Sequence, residues 1–227
     1  MAVDSYPPVI CTVDVVLLTL RDEALHVVLH QRDREPFRGV VALPGGYVHQ
    51  QEDQDAEDAA VRVLRDKTGI ASPYLEQLAT FSGPARDPRG WSVSIAYYAL
   101  VPLEVLPADA PHLKLLPADR LPTLPFDHQR IVELAVSRVR VKSQYSSLPV
   151  HLCGERFTLP QLQSVYEAVL GEPINKVSFR RKMDELAMLE PIDGEMELGR
   201  ANRPAQLYRV RREFRRTLSL LERGLGS

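Results

Sequence analysis

LPGGYVHQQEDQDAEDAAVRVLRDKTGI, residues 43–70, is the stretch on which the reading of this chain turns. It divides into a glycine turn, an acidic connector and a helix. Leu43-Pro44-Gly45-Gly46 breaks the strand before it, because proline and paired glycines allow a sharp turn and a close approach of backbone to a ligand. The acidic run at 53–58 stands at the start of the helix, where negative charge suits the helix dipole. Residues 56–68 are good helix formers, and Gly69 is the expected C′ residue that stops them.

The same stretch resembles the Nudix box: Gly, five residues, Glu, seven residues, Arg-Glu-aliphatic, any residue, Glu-Glu, any residue, Gly. Gly46 and Glu52 fit its first half, and Arg62, Leu64 and Gly69 fit its second half once two extra residues are allowed between them. In that register the three acidic positions of the helix hold Val63, Asp66 and Lys67. They lie on one helix face. Nudix hydrolases hold magnesium there with clustered carboxylates, since a hard cation takes oxygen ligands. Here one carboxylate remains and an ammonium is added, so the resemblance implies a retained fold, no metal site and no catalytic residues. The plainer reading is a glycine-rich turn followed by an ordinary acidic helix.

Working outward, residues 9–20 read as a strand, 21–23 as a polar turn and 24–31 as a second strand, together a hairpin. A charged loop (32–38) and a short strand (40–43) lead into the box. After it, 74–82 and the alternating WSVSIAYYALV at 91–101 read as strands around the loop GPARDPRG. Residues 102–125 are proline-rich. Asp127 is then the expected N-cap of a helix from His128 to about Arg140, with Ile131, Leu134, Ala135 and Val139 at helical spacing. His128 reads as a first-turn surface histidine rather than a catalytic one. SQYSSLP, residues 143–149, is the linker candidate.

The remainder reads as a second unit. Thr158 caps a helix that opens with Leu159-Pro160, presents Leu162, Val165, Tyr166 and Val169, and stops at Gly171. Asn175 caps another, running to about Leu189. Asp193-Gly194 is a hairpin turn signal, residues 200–204 a polar tip and 206–209 a returning strand. Two helices and a hairpin make a winged helix-turn-helix or a protein-docking module, and the charge placement favours the first. With Phe179, Met183 and Leu186 inward, Val177, Ser178 and Arg181 point away from the core, and Arg180 and Lys182 flank them. The expected DNA contacts are Lys176, Val177, Ser178, Arg180, Arg181 and Lys182 on the helix and Arg203 on the wing. Ordinary surface cations on a solvated helix are the plainer alternative.

Bulk properties set the frame. The 227 residues suffice for one large or two small domains, and 44% hydrophobic with 26% charged residues is a soluble globular composition. Residues 1–147 carry 15 Lys and Arg against 19 Asp and Glu, and residues 148–227 carry 13 against 11, so a net −4 precedes a net +2. The net charge argues against a whole-surface polyanion binder and leaves room for a basic face on the second unit. Cys11 and Cys153 lack partners at metal-ligand spacing. No apolar run reaches membrane-spanning length and no basic leader precedes one, so a cytoplasmic bacterial-type protein with no membrane association is expected.

PGGYV with the degenerate box, RDPRGWSVSIAYYAL, PFDHQRIVELA, FTLPQLQSVYEAVLG, FRRKM and RPAQLYRV together resemble the NrtR-type, Nudix-related transcriptional regulators. The resemblance spans nearly the whole chain. It implies an α+β protein in which a Nudix α/β/α sandwich (1–147) precedes a winged helix-turn-helix domain (148–227). It implies no enzyme but a homodimeric repressor of NAD synthesis or salvage genes, bound to a palindromic DNA operator and answering to ADP-ribose or a related nucleotide, with no cofactor required. The alternatives are an active ADP-ribose pyrophosphatase with an accessory domain, in which Glu52, Glu57 and Asp66 recruit magnesium, and a sugar-responsive regulator. A diphosphate ligand calls for cations and backbone N–H groups, supplied by Arg32, Arg38, Gly45, Gly46, Arg86 and Arg89, with Asp87 in the same RDPRG loop. An adenine calls for a flat face, supplied by Phe37, Tyr47 or Trp91.

Overall fold

The computed structural model describes residues 8–72, 74–198 and 204–220. Strand β1 (Ile10–Arg21) is the axis of the first unit. It pairs antiparallel with β2 (Ala24–Gln31) through a two-residue turn, Asp22-Glu23, whose positive φ values of 51° and 59° match the twist of a tight hairpin. Short β3 (Val41–Ala42) extends β2, and β4 (Gly45–Tyr47) lies along the N-terminal half of β1. After helix α1 (Ala56–Thr68), β5 (Leu75–Gly83) and β6 (Ser92–Leu100) form a second antiparallel pair, and β6 runs parallel to β1. A further strand, β7 (Leu113–Pro117), covers the free side of β2 and has no counterpart in the sequence reading. The surrounding prolines hid it, yet an edge strand tolerates proline because its outer N–H positions bond nothing.

Both faces of this sheet are covered, which is why β1 reads as an unbroken apolar run rather than an alternating one. Val13, Val15 and Leu17 meet Ala59, Ala60, Val63 and Leu64 of α1 on one face. Val16 and Leu18 share the core on the other face with Ile131, Val132, Ala135 and Val139 of helix α2 (His128–Ser143). This is the expected α/β/α sandwich. Helix α1 has the expected limits, with Asp55 accepting from the Asp58 N–H at its start and Gly69 at φ 73° ending it. Asp127, in contrast, makes no cap, because its carboxylate is turned to Arg86 instead.

The 143–149 segment is not an exposed linker. Helix α2 runs on to Ser143, and Ser143, Ser146, Ser147, Leu148 and Pro149 are buried. Leu148, Leu152 and Val169 belong to the same apolar core as α2. The Tyr166 hydroxyl donates to the Ser146 carbonyl at 2.9 Å, and His151 stacks on Tyr74 at 4.8 Å. The C-terminal segment returns to the same place: Ser147 N–H donates to the Ser219 carbonyl and Ser219 N–H to Ser147 Oγ, each at 2.9 Å. Small polar side chains here let backbones approach closely, a use that composition alone does not separate from a solvated linker.

The second unit comprises β8 (Phe157–Thr158), α3 (Leu159–Leu170), α4 (Lys176–Leu186), β9 (Leu189–Leu198) and β10 (Pro204–Val210) in a sheet ordered β8-β10-β9. Thr158 and Gln161 form a reciprocal capping box, and Gly171 at φ 78° closes α3. Phe157, Leu162, Tyr166, Phe179, Met183, Leu186 and Met188 form its core. Asp193-Gly194 is not the turn. It lies within β9 where the register with β10 shifts, and the Gln206 amide donates to the Ile192 carbonyl at 2.8 Å across that irregularity. The polar tip at 200–204 lies, but for Pro204, outside the described residues.

Candidate effector cavity and DNA-binding face

A cavity of about 510 Å³ opens at one end of the sandwich, where β1, the end of β2, β4, the inner face of α1, the RDPRG loop and the start of α2 converge. Its floor is a buried polar cluster. Asp14 is 6% exposed, the one acid in an apolar strand. It accepts from Ser94 Oγ at 2.6 Å and lies 3.4 Å from Arg86 and 3.3 Å from His128 Nε2. Burial pushes its pKa up, but His128, Ser94 and Arg86 together outweigh this and hold the carboxyl below its usual range. The Leu43 N–H donates to His128 Nδ1 at 3.1 Å, so Nδ1 carries no proton and Nε2–H faces Asp14. His128 is therefore not a surface residue. It is 3% exposed and ties the turn before the glycines to the strand beneath them.

Gly45 and Gly46 line the cavity, and their smallness is used against the protein as well. A Cβ on Gly45 would stand 2.2 Å from Asp14 Oδ1, and one on Gly46 would stand 2.9 Å from Val63 Cγ2. Val63 thus fills the space beside Gly46 and is 2% exposed. Asp66 pairs with its neighbour Arg65 at 3.2 Å. Lys67 lines the cavity, 3.8 Å from Asp33. Arg62 is bound to Asp53 at 2.7 Å and to the Tyr47 carbonyl, which fastens the acidic connector to the helix.

The expected cations have separate fates. The Arg86 side chain lines the cavity, is 6% exposed and donates to both oxygens of Asp127, to Ser92 and to Asp14, so it knits β1, β6 and α2 together. Asp87 is buried and accepts from the Arg89 backbone N–H, Nε and Nη2, holding Arg89 over the Tyr47 ring at 5.1 Å. Arg32 donates Nε to the Pro36 carbonyl and lays its guanidinium 5.0 Å from the centre of the Phe126 ring. Burial first, then Arg89, lowers its pKa. Arg38 is exposed and lies away from the cavity lining, because the loop turns it outward.

The aromatic expectations are corrected. Trp91 is 49% exposed and does not line the cavity. It sits just before β6, and its backbone carbonyl accepts from the Ile10 N–H at 3.2 Å. Phe37 packs edge-on against Phe126 at 5.0 Å, supporting it from outside the lining. Phe126 lines the cavity, together with Tyr47. Its φ of 56° is uncommon for a bulky residue and marks a position fixed by its surroundings. The sequence reading missed Asp14, His30, Phe126 and His128. The available signal was an acid inside a strand with both faces buried, which must find a partner.

In the second unit α4 exposes Lys176, Val177 (76% exposed), Arg180 and Arg181, with Ser178 half-buried. Lys182 is not on this face. It is 5% exposed, because three residues from Phe179 and four from Leu186 place it on the buried stripe. Arg203 lies outside the described residues. Lys176 and Arg180 border a cleft whose opposite wall is the acidic β1–β2 turn, Asp22-Glu23.

Residues 12–134 match the NUDIX domain family and residues 149–210 the NrtR DNA-binding winged helix domain. The ADPR responsive transcriptional repressor NtrR of Acinetobacter baylyi is 40% identical over 211 residues, 90% of this chain and 83% of that protein. Shewanella oneidensis NrtR complexed with a 27mer DNA superposes with a TM-score of 0.87 at 38% identity, covering 95% of this chain and 99% of the other. The NUDIX domain of the same protein, complexed with ADP ribose, matches at 39% identity and a TM-score of 0.53 over 59% of this chain and 90% of its own. An ADP-ribose pyrophosphatase of Methanocaldococcus jannaschii is 37% identical over 109 residues, 47% of this chain and 63% of that enzyme. No helix among the described residues is long and apolar enough to cross a membrane. With both domain types present in the same order and a relative alike over nearly its full length, this chain belongs to the NrtR family of Nudix-type transcriptional regulators.

Proposed function

We propose that this chain is a cytoplasmic, ADP-ribose-responsive repressor that binds a palindromic DNA operator as a homodimer and controls genes of NAD synthesis or salvage. We take residues 1–147 as the sensor and 148–227 as the DNA-binding unit. The observation that carries the reading is the box helix: Val63 is packed under Gly46 and Lys67 lines the cavity where a hydrolase would place carboxylates. A cavity lined by cations and two aromatic rings but, among the described residues, without carboxylates clustered to hold a metal suits binding of a nucleotide diphosphate, not its hydrolysis. Arg32, Arg89, Tyr47 and Phe126 border the ligand, and Gly45 and Gly46 present backbone to it. On α4, Arg181 and Ser178 read base edges while Lys176 and Arg180 hold phosphates.

The coupling runs through α2. Its first residue, His128, is bonded to Leu43 and Asp14 in the cavity, and its last turn ends at the buried segment held by Tyr166. A ligand changes operator affinity only if it favours one arrangement of these parts. A gel shift on the promoter beside the gene, with and without ADP-ribose, tests the reading. ADP-ribose is expected to release the DNA, and an unchanged shift refutes its role as effector. The similarity to an ADP-ribose pyrophosphatase favours a hydrolase as the second reading, and steady release of AMP from ADP-ribose with magnesium would support that instead.

A further inference from the structure

The Nudix fold implies a divalent cation at the box helix, and the residues present do not fit one. Among the described residues no group of three or more His, Cys, Asp or Glu is arranged to hold a metal. Of the three box positions, one is a buried valine, one an aspartate paired with Arg65, and one the Lys67 ammonium. Apart from Arg34, which stands 88% exposed on the loop beside Asp33, the cations of the cavity divide into two sets. Arg62, Arg86 and Arg89 each hold a carboxylate at 2.6–2.9 Å. Lys67 and Arg32 do not: Lys67 has Asp33 at 3.8 Å on an exposed loop, and Arg32 makes no ion pair among the described residues.

A third group points to the same place. His30 lines the cavity at 5% exposure, and its Nε2 has no hydrogen-bond partner among the described residues. A buried polar nitrogen without a partner is costly unless something in the cavity meets it. Burial, then the charge of Lys67, lowers its pKa to about 4, with Arg32 acting in the same direction, so it is a neutral ring between two cations.

We propose that the cavity takes a diphosphate directly and without a metal ion, Lys67 and Arg32 supplying the positive charge and His30 Nε2 a hydrogen bond. This rests on the reading of the cavity as an effector site and adds the chemistry by which it works. An ammonium fixed at the end of α1 neutralises phosphate oxygens as a point charge while offering no open coordination position to activate water. Losing the metal would then be the means by which binding is kept and turnover is lost.

The test is calorimetric titration of ADP-ribose, and separately of inorganic pyrophosphate, into the full-length protein in EDTA and in magnesium. Lys67→Met keeps the stem and removes the charge, and thermal melting checks that it folds. ADP-ribose is expected to bind the wild type equally well, or better, in EDTA. Lys67→Met should weaken binding about tenfold or more, the worth of one charge-assisted hydrogen bond. Binding that requires magnesium, or an unaltered Lys67→Met, overturns the proposal while leaving ADP-ribose as effector. Metal-free, Lys67-dependent binding of pyrophosphate without binding of ADP-ribose upholds the cation site and refutes that effector. Binding of neither in either buffer refutes both.

Discussion

Gly45→Ala puts a single methyl where the structure has least room for one. The added Cβ would lie 2.2 Å from Asp14 Oδ1 and 3.2 Å from the Val13 carbonyl. Oδ1 must retreat by about 1 Å to reach an ordinary contact. It is not the free end of a flexible chain, since the same carboxylate is held by Ser94 at 2.6 Å, Arg86 at 3.4 Å and His128 at 3.3 Å. Disturbing hydrogen bonds to a buried charge costs ~1.5–3 kcal/mol each, and β4 can yield slightly, so a loss of ~2–4 kcal/mol is expected. Urea unfolding measures it. Asp14→Ala alone should cost a similar ~3 kcal/mol by leaving Ser94, Arg86 and His128 short of a partner. In the double variant the methyl no longer meets Oδ1, so the cost should fall short of the sum by about 2 kcal/mol. Strict additivity, or a Gly45→Ala variant within ~0.5 kcal/mol of wild type, would refute the reasoning.

Magnesium-dependent turnover of ADP-ribose should stay far below about 1 per second, the lower end of ordinary enzyme rates, by a coupled AMP-release assay. Arg181→Ala should cost roughly 1–3 kcal/mol in operator affinity and relax sequence preference, whereas Arg180→Ala should weaken all sequences alike and lower the salt slope by about 1, as read by fluorescence anisotropy. Burial lowers His30 and His151 to about 4, below the value of 6.5 in the open chain, so each contributes fully above pH 6.5 and loses its contribution as pH falls towards 4. Each difference amounts to ~3 kcal/mol at the acid limit, so the melting temperature should decline across that window, and His151→Phe should flatten part of the decline. Asp53, bonded by Arg62 and held near 2, loses its contribution only as pH falls from 3.8 towards 2. If ADP-ribose lowers operator affinity, operator DNA must weaken ADP-ribose binding by the same factor, with a coupling of about 1–3 kcal/mol, and equal calorimetric affinities for free and DNA-bound protein would exclude it.

The architecture was legible because it is written in local signals. Gly69, Gly171, Thr158 and Asn175 end or begin helices by their own chemistry, and the structure uses each as expected. The cavity was less so, because its members gain their roles from partners distant in the chain. Asp127 read as a cap since nothing nearby in sequence revealed Arg86, 41 residues away. His128 read as exposed since Leu43 and Asp14 lie far upstream. Arg32 and Arg38 were both named for their type, yet Arg32 lines the cavity and Arg38 faces away, a distinction set by the path of a loop. Lys182 shows a different failure: with Phe179, Met183 and Leu186 inward it was placed at the flank of the exposed face, whereas it is 5% exposed on the buried stripe.

The meeting of Ser147 with Ser219 bears on how the winged unit can move. A unit tethered by one strand of backbone can spin about that strand, and a disturbance at the other end of α2 would dissipate as random orientation. Here two segments cross the boundary side by side, bonded in both directions and bridged again between Ser146 and Leu220. Spinning would have to break those bonds, whereas tilting about the line that joins the segments would not. Rotation at the joint is therefore resisted by these bonds. A small displacement of His128 would then be carried along α2 to the winged unit instead of being lost as free rotation.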